Sequence, residues 1–243
     1  MVSLRKGRYR ARFAETPEDV HAAQRLRTRA FRGTDEAALD ADDFDSLCEH
    51  VLVEDQKTGA LVCCFRFLPL LGGAEIAKSY SAQYYELSAL EGFEGRMVEM
   101  GRFCIDPDVK DADILRVAWG AMTTYVDDNA VELLFGCSSF HGTDADQYLD
   151  AFAMLKARHL APKRWLPKVK APKVFRFAQK LRRKPDAKLA MLRMPPLLRT
   201  YLLMGGWVSD HAVVDSHMNT LHVFTGLEIK AIPPARKRLL RAI

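Results

Sequence analysis

Residues 96–105 read RMVEMGRFCI and stop at Asp106-Pro107. The run has the apolar density of a sheet interior, yet it holds two charges, Glu99 and Arg102, three positions apart. A proline cannot donate to a sheet ladder, so the strand ends there. Alternate side chains of a strand share a face. This sets Val98, Met100, Arg102 and Cys104 against Met97, Glu99, Gly101, Phe103 and Ile105. The two charges therefore face opposite sides unless a bulge, for which Gly101 is the expected place, shifts the register. A charge in such a strand is costly unless paired. One reading makes it a structural ion pair, with Arg66 or Asp45 as partner. The other places Glu99 in a cleft as a general base, because burial raises a carboxylate's pKa towards that needed to take a proton from an ammonium nucleophile.

The rest of the chain supplies a sheet around this strand. Residues 9–14 alternate as a strand, and Thr16-Pro17-Glu18-Asp19 opens a helix with an N-cap, a proline at the first position and acids in the first turn. Residues 50–54 and 60–68 flank the turn 55–59 as a hairpin that Pro69 closes. Residues 111–129 read as a helix, residues 131–140 as a central strand, and Gly142-Thr143-Asp144 as the start of a further helix. Two strand-like runs, 211–215 and 221–229, follow. The order β-α-β-β-β-α-β-α with a tail of strands predicts a mixed α/β sheet with helices on both faces, in a single domain over 1–243.

Charge is unevenly spread. Thirteen Lys/Arg lie between residues 156 and 188 against one acid, Asp186, while 35–45 is strongly acidic. The basic segment is broken by four prolines, and residues 174–181 (VFRFAQKL) predict a short amphipathic helix for an anionic bilayer. Its candidate contact residues are Lys163, Arg164, Trp165, Lys168, Phe175, Arg176, Arg182 and Arg183. Charge alone admits nucleic acid, but no recognition-helix, RNP or OB pattern supports it, so none is expected as a partner. The five cysteines have neither disulfide nor zinc spacing, and no metal is expected. The basic opening residues lack the apolar core of a secretory signal, and no run reaches the ~18 apolar residues of a membrane span. The expectation is a cytoplasmic protein, peripheral on the inner face of the membrane.

Several stretches, taken in order, carry a family likeness: LRTRAF (26–31), DADDFDSLCEHVLVED (40–55), FRFLPL (65–70), YSAQYYEL (80–87), VEMGRFCIDPD (98–108), LLFGCSSFHGTD (133–144) and MPPLLRTYLLMGGWVSDHAVVD (194–215). The chain resembles the N-acyltransferases that make lyso-ornithine lipid, relatives of the acyl-homoserine-lactone synthases in the GNAT superfamily, over nearly its full length. The resemblance implies a mainly antiparallel twisted sheet of α+β type and transfer of a 3-hydroxyacyl chain to the α-amino group of ornithine. GNAT enzymes that use acetyl-CoA carry a glycine-rich loop that holds the pyrophosphate at a helix N-terminus. Here that place reads DPDVKDADILRVAWG, with no glycine before Gly120. The donor implied is an acyl carrier protein thioester on its phosphopantetheine arm, with no other cofactor, and an acidic carrier suits a basic surface.

The catalytic candidates are Glu99, His50 and Arg102. His50 lies near the acceptor by resemblance. Asp45 is the candidate for the cationic end of ornithine, and Arg66 for Glu99 or the substrate carboxylate. Phe103, Ser138 and Ser139 complete the substrate-binding set, the serines where related folds splay two strands to admit the thioester arm. Two alternatives stand: an autoinducer synthase using S-adenosylmethionine, and a non-catalytic basic adaptor for membrane or nucleic acid.

Overall fold

The computed structural model describes residues 3–34 and 39–241. Residues 35–38 of the acidic run lie outside the described residues. In chain order the elements are β1 (Ser3–Lys6), β2 (Tyr9–Phe13), α1 (Pro17–Arg32), β3 (Glu49–Asp55), β4 (Leu61–Leu70), β5 (Tyr85–Glu86), β6 (Arg96–Ile105), α2 (Ala112–Asp128), β7 (Val131–His141) and α3 (Leu149–Arg158). They continue with β8 (Lys168–Val169), β9 (Val174–Phe175), α4 (Phe177–Lys180), α5 (Ala187–Arg193), α6 (Pro196–Leu203), β10 (Trp207–Val208), β11 (Ala212–Asp215), β12 (Thr220–Glu228) and α7 (Pro234–Arg241). This is a mixed α/β fold with a large, mostly antiparallel sheet. The chain divides into two compact units. The first holds residues up to Pro69, Met100–Val131 and those from Pro234 on; the second holds Leu70–Glu99 and Glu132–Pro233. Strand β6 passes from one to the other between Glu99 and Met100.

In the first unit the strand order is β1-β2-β3-β4-β6, antiparallel from β1 to β4. Strand β1 was not foreseen, because Leu4 is its one apolar residue and gives no alternation to read. Helix α1 starts as its sequence demands. The Thr16 hydroxyl accepts from the Asp19 N–H at 3.2 Å, Pro17 needs no partner for a missing N–H, and Gly33 ends it at φ 67°. Residues 62–68 of β4 are all buried, as a strand covered on both faces must be. Pro69 sits inside β4 and not beyond it, tolerated at an exposed position one residue from the strand's end. The core of this unit includes Phe67 stacked on Tyr125 at 4.3 Å between ring centroids.

The second unit takes up β6 and orders it β6-β7-β12-β11-β9, with β10 on β12 and a separate β5-β8 pair. Trp207 and Phe135 both stack on Phe224, at 5.9 and 5.6 Å. The indole passes so close to Gly226 that any Cβ there would lie 2.4 Å from it, which excludes every other residue. The amphipathic helix expected at 174–181 does not form. Val174 and Phe175 instead pair with Val213 and Ala212 of β11, and only the single turn α4 follows. Phe177 is fully buried and stacks on Phe152 at 5.1 Å, so its apolar surface is already covered inside the fold.

Ala130, exposed just after α2, holds φ 50° and donates its N–H to the Asp127 carbonyl. That left-handed position normally belongs to glycine and costs other residues about 1–2 kcal/mol. Ala130→Gly is expected to raise the unfolding free energy by about 1 kcal/mol, net of glycine's added chain entropy, in urea titration.

Candidate active site

In the first unit the sequence Asp42-Asp43-Phe44-Asp45 folds on itself before it binds anything else. Asp42 caps the short turn Asp43–Leu47, accepting from the Phe44 N–H at 3.1 Å, and Asp45 accepts from the Asp42 N–H at 3.3 Å in return. This local closure leaves the carboxylates gathered, and three guanidiniums meet them. Asp42 receives both arms of Arg66, at 2.6 and 2.8 Å, and Arg102 at 2.9 Å. Asp45 receives Arg27 at 2.7 and 3.1 Å, Gln24 at 2.9 Å, and Arg66. Asp40 receives Arg27 at 2.8 Å, and the Arg102 guanidinium forms an ion pair with it at 3.2 Å. The three carboxylates match the three guanidiniums, with Arg32 at 3.9 Å from Asp40 on the exposed side, and this matching is what lets Arg27 and Arg66 be buried.

Two expectations are corrected here. Asp45 does not offer its carboxylate to an acceptor. Burial opposes its ionisation, but Arg27, Gln24 and Arg66 outweigh that and hold the carboxyl well below its usual range. Arg66 does not wait for Glu99 or a substrate carboxylate; both its arms are spent on Asp42 and Asp45. His50 lies beneath the same turn, 3.0 Å from the Asp45 carbonyl through Nε2. Burial lowers its pKa and keeps the ring neutral, so Nε2–H donates to that carbonyl.

The register of β6 also departs from simple alternation. On β4, Cys64 and Arg66 share one face and Phe65 takes the other. A Cβ on Gly101 would lie 3.7 Å from the Arg66 Nε, and the Cys104 sulfur lies 3.5 Å from that of Cys64. Phe103 instead stacks on Phe65 at 5.5 Å. Gly101 and Cys104 can share a face only if one residue between them is extra. That residue is Arg102, at φ 54°, not Gly101. The slip turns Arg102 to the face of Gly101. The left-handed backbone costs about 1–3 kcal/mol, and the bonds from Arg102 to Asp40 and Asp42 oppose that cost.

In the second unit Glu99 is 4 % exposed. Its Oε2 accepts the Tyr80 N–H at 2.7 Å; its Oε1 accepts the Ser81 N–H at 2.8 Å and the Ser81 hydroxyl at 2.5 Å. Ser81 is wholly buried, and its Oγ lies 3.4 Å from the Cys137 sulfur. The Tyr80 and Tyr84 hydroxyls meet at 3.3 Å, and Tyr84 stands edge-on to His222. These neighbours were not foreseen as site residues. They sit in and around the three-residue turn Ser81–Gln83, which is too short for periodicity to reveal. The unassigned histidines 211 and 222 are buried. Tyr85 donates to the His222 carbonyl at 2.8 Å, burial lowers the His222 pKa to about 4, and His211 Nδ1 lies 2.7 Å from Asp210.

The remaining candidates separate. Ser138 is buried and accepts from the Thr225 hydroxyl at 2.9 Å, while Ser139 is exposed on the opposite face of β7. The two serines thus point to opposite faces of β7. In the basic segment Trp165 packs edge-on to Phe93, Arg164 lies over Trp165 and near Glu228, Lys168 reaches Glu86, and Phe175 packs on Phe152. Arg183 pairs with Asp150; Lys163, Arg176 and Arg182 are exposed. Trp165 and Phe175, the two aromatic anchors expected to enter a bilayer, are thus engaged within the second unit.

At the start of α2 the Asp111 carboxylate caps the Asp113 N–H at 2.9 Å and accepts from Tyr9 at 2.8 Å. These two bonds hold its pKa below the usual carboxylate range. An anion supplied by the chain already fills that helix terminus.

A family model described as an acetyltransferase (GNAT) domain matches residues 25–120. An L-ornithine N(alpha)-acyltransferase of Rhodobacter capsulatus is 32 % identical over 238 residues, covering 92 % of this chain and 91 % of that one. Its counterpart in Brucella abortus is 28 % identical over 244 residues, covering 94 % and 87 %. Among solved structures, an N-acyl amino acid synthase from uncultured soil microbes is similar in fold, with a TM-score of 0.50 and 12 % identity over 92 % of each chain.

Removing one member of the cage tests its balance. Asp45→Asn removes one of the two carboxylates that each of Arg27 and Arg66 meets, and is expected to cost about 3 kcal/mol in urea unfolding at pH 7. A carboxylate with a depressed folded-state pKa contributes stability above its unfolded pKa of about 4, and that contribution is lost as the pH falls through the folded value. The acid-side decline in stability should therefore be shallower in Asp45→Asn than in the wild type.

Proposed function

The chain belongs to the L-ornithine N(alpha)-acyltransferase family, and from that premise we propose that it moves a 3-hydroxyacyl chain from acyl carrier protein to the α-amino group of ornithine. It is an acyltransferase, and lyso-ornithine lipid is the product of this reading. The observation that carries the chemistry is the buried carboxylate of Glu99, oriented by three donors from Tyr80 and Ser81.

The Glu99 carboxylate, positioned by Tyr80 and Ser81, takes a proton from the ornithine α-ammonium directly or through one water. The freed amine attacks the thioester carbonyl and forms a tetrahedral intermediate. Backbone N–H groups of β6 polarise the carbonyl oxygen. The C–S bond then breaks, the amide forms, and the second amine proton leaves on the carrier's thiol. Glu99 returns its proton to solvent. His50 and the arginine cage act as supports that fix the strand, and Arg102 sets its register.

Asp111 supports the carrier protein as donor. A CoA pyrophosphate brought to the start of α2 meets a carboxylate held ionised there by Tyr9 and the Asp113 amide, and has no glycine loop to bind it. The reading needs no metal or redox group. It places the enzyme peripherally at an anionic membrane surface, into which a single-chain amphiphile can be released; no helix among the described residues is long and apolar enough to cross a membrane.

The test incubates the protein with 3-hydroxyacyl carrier protein and a panel of amines, including ornithine and S-adenosylmethionine, followed by mass spectrometry. Acyl-ornithine is expected. An acyl-homoserine lactone would move the assignment to an autoinducer synthase, and no transfer to any amine would leave a binding adaptor. Glu99→Gln keeps an acceptor for Ser81 but cannot take a proton, and its amide nitrogen cannot accept from the Tyr80 N–H, so a moderate fall in melting temperature is expected. It is expected to lower kcat by about 100-fold or more and to abolish the acid limb of the pH–rate profile. Loss of activity with an unaltered profile would make Glu99 an anchor for the 80–81 turn and not the base.

A further inference from the structure

Helix α5 presents a surface that the basic segment further upstream does not. Ala190 and Met194 face inward and are buried, at 0 and 1 % exposure. The other side of this helix of about two turns leaves three large apolar side chains in solvent: Leu189, Met191 and Leu192, the last 73 % exposed. Lys188 lies one turn before Leu192 on the same outward face. Solitary exposed leucines are ordinary, but three on seven residues form a patch of the kind that marks an interface.

Its charge is of one sign. Residues 182–193 hold Arg182, Arg183, Lys184, Lys188 and Arg193 against Asp186, and the Asp186 side chain is taken up in capping the Leu189 N–H at 2.9 Å. Arg183 pairs with Asp150. Among the described residues no carboxylate pairs with Arg182, Lys184, Lys188 or Arg193. Leucines that project beside unpaired lysines and arginines satisfy both requirements of binding in the plane of an anionic bilayer: apolar insertion and attraction to headgroups. Long cationic side chains beside them keep their heads at the headgroup level while their stems cover the leucines.

We infer that the outward face of α5 docks on an anionic lipid bilayer, with Leu192 as the inserted side chain and Lys184 and Lys188 on the headgroups. An acidic folded partner would share the charge preference. A side chain three-quarters exposed, however, needs a receiving pocket on such a partner, whereas a bilayer accepts it without one. The inference rests on the proposed reaction only in that its product must reach a membrane; the docking itself is measurable without turnover.

The full chain is sedimented with vesicles of phosphatidylcholine alone or with about one-third phosphatidylglycerol, without substrate. Binding to the anionic vesicles is expected, weakening as salt rises. Leu192→Glu is expected to weaken it by about tenfold or more, and Lys184→Glu with Lys188→Glu to weaken it by a similar factor and flatten its salt dependence. These exposed substitutions should leave the circular dichroism spectrum unchanged. Equal binding by Leu192→Glu and wild type would overturn the inference, as would absence of wild-type binding. A raised KM for acyl carrier protein in Leu192→Glu, with vesicle binding intact, would overturn it in favour of carrier docking. Vesicle binding without acyl transfer to ornithine would leave this inference standing and remove the reaction.

Discussion

Three arginines meeting three aspartates set the terms for the first unit. Buried guanidiniums are tolerable only when their charge is matched within hydrogen-bond distance. Arg27 and Arg66 achieve this because the turn after Asp42 has already closed on itself and gathered the carboxylates. The cage ties helix α1, strand β4 and strand β6 to one short loop through Arg27, Arg66 and Arg102. The matching is collective: each charge in it meets two of the opposite sign, so any one substitution takes a partner from two charges. The same completeness removes Asp45 and Arg66 from the roles in substrate binding that their residue types suggest.

The cage also bears on the strand that carries the chemistry. Arg102 adopts a backbone conformation that residues with a Cβ avoid, and it does so with its guanidinium fixed by Asp40 and Asp42. The resulting slip of one residue turns it to the face of Gly101. Without the slip Arg102 would lie on the opposite face, where the pleat alone would place it. Strain in β6 is thus opposed by ion pairing.

Much of this was legible in the sequence where physics acts locally. The bounds of β6, the hairpin β3–β4 and the Thr16-Pro17 start of α1 follow from proline, turn and capping chemistry that neighbouring residues decide. The need for a shift between Glu99 and Arg102 was also legible, from the period of a strand. Its position was not, because Gly101 permits a bulge but the partners that hold one at Arg102 come from residues 40–42, far along the chain. Ser81 was missed as the positioning group for Glu99, since a three-residue turn has no period. The basic segment misled for a related reason. Its apolar residues have helical spacing, but β11 offers Val174 and Phe175 a strand to pair with, and Phe152 offers Phe177 a ring to stack on. Tertiary partners won over local pattern.

The choice of donor joins these features to the function. In the proposed reaction, what holds the donor beyond its thioester decides between a nucleotide and a protein carrier. Asp111, doubly bonded at the start of α2, sets a negative charge at that helix terminus. The most direct measurement presents one 3-hydroxyacyl chain to the protein and ornithine on either acyl carrier protein or CoA and compares kcat/KM. The carrier thioester should be preferred by about 100-fold or more, corresponding to about 3 kcal/mol of discrimination. Equal use of the two donors, or preference for CoA, would contradict the account.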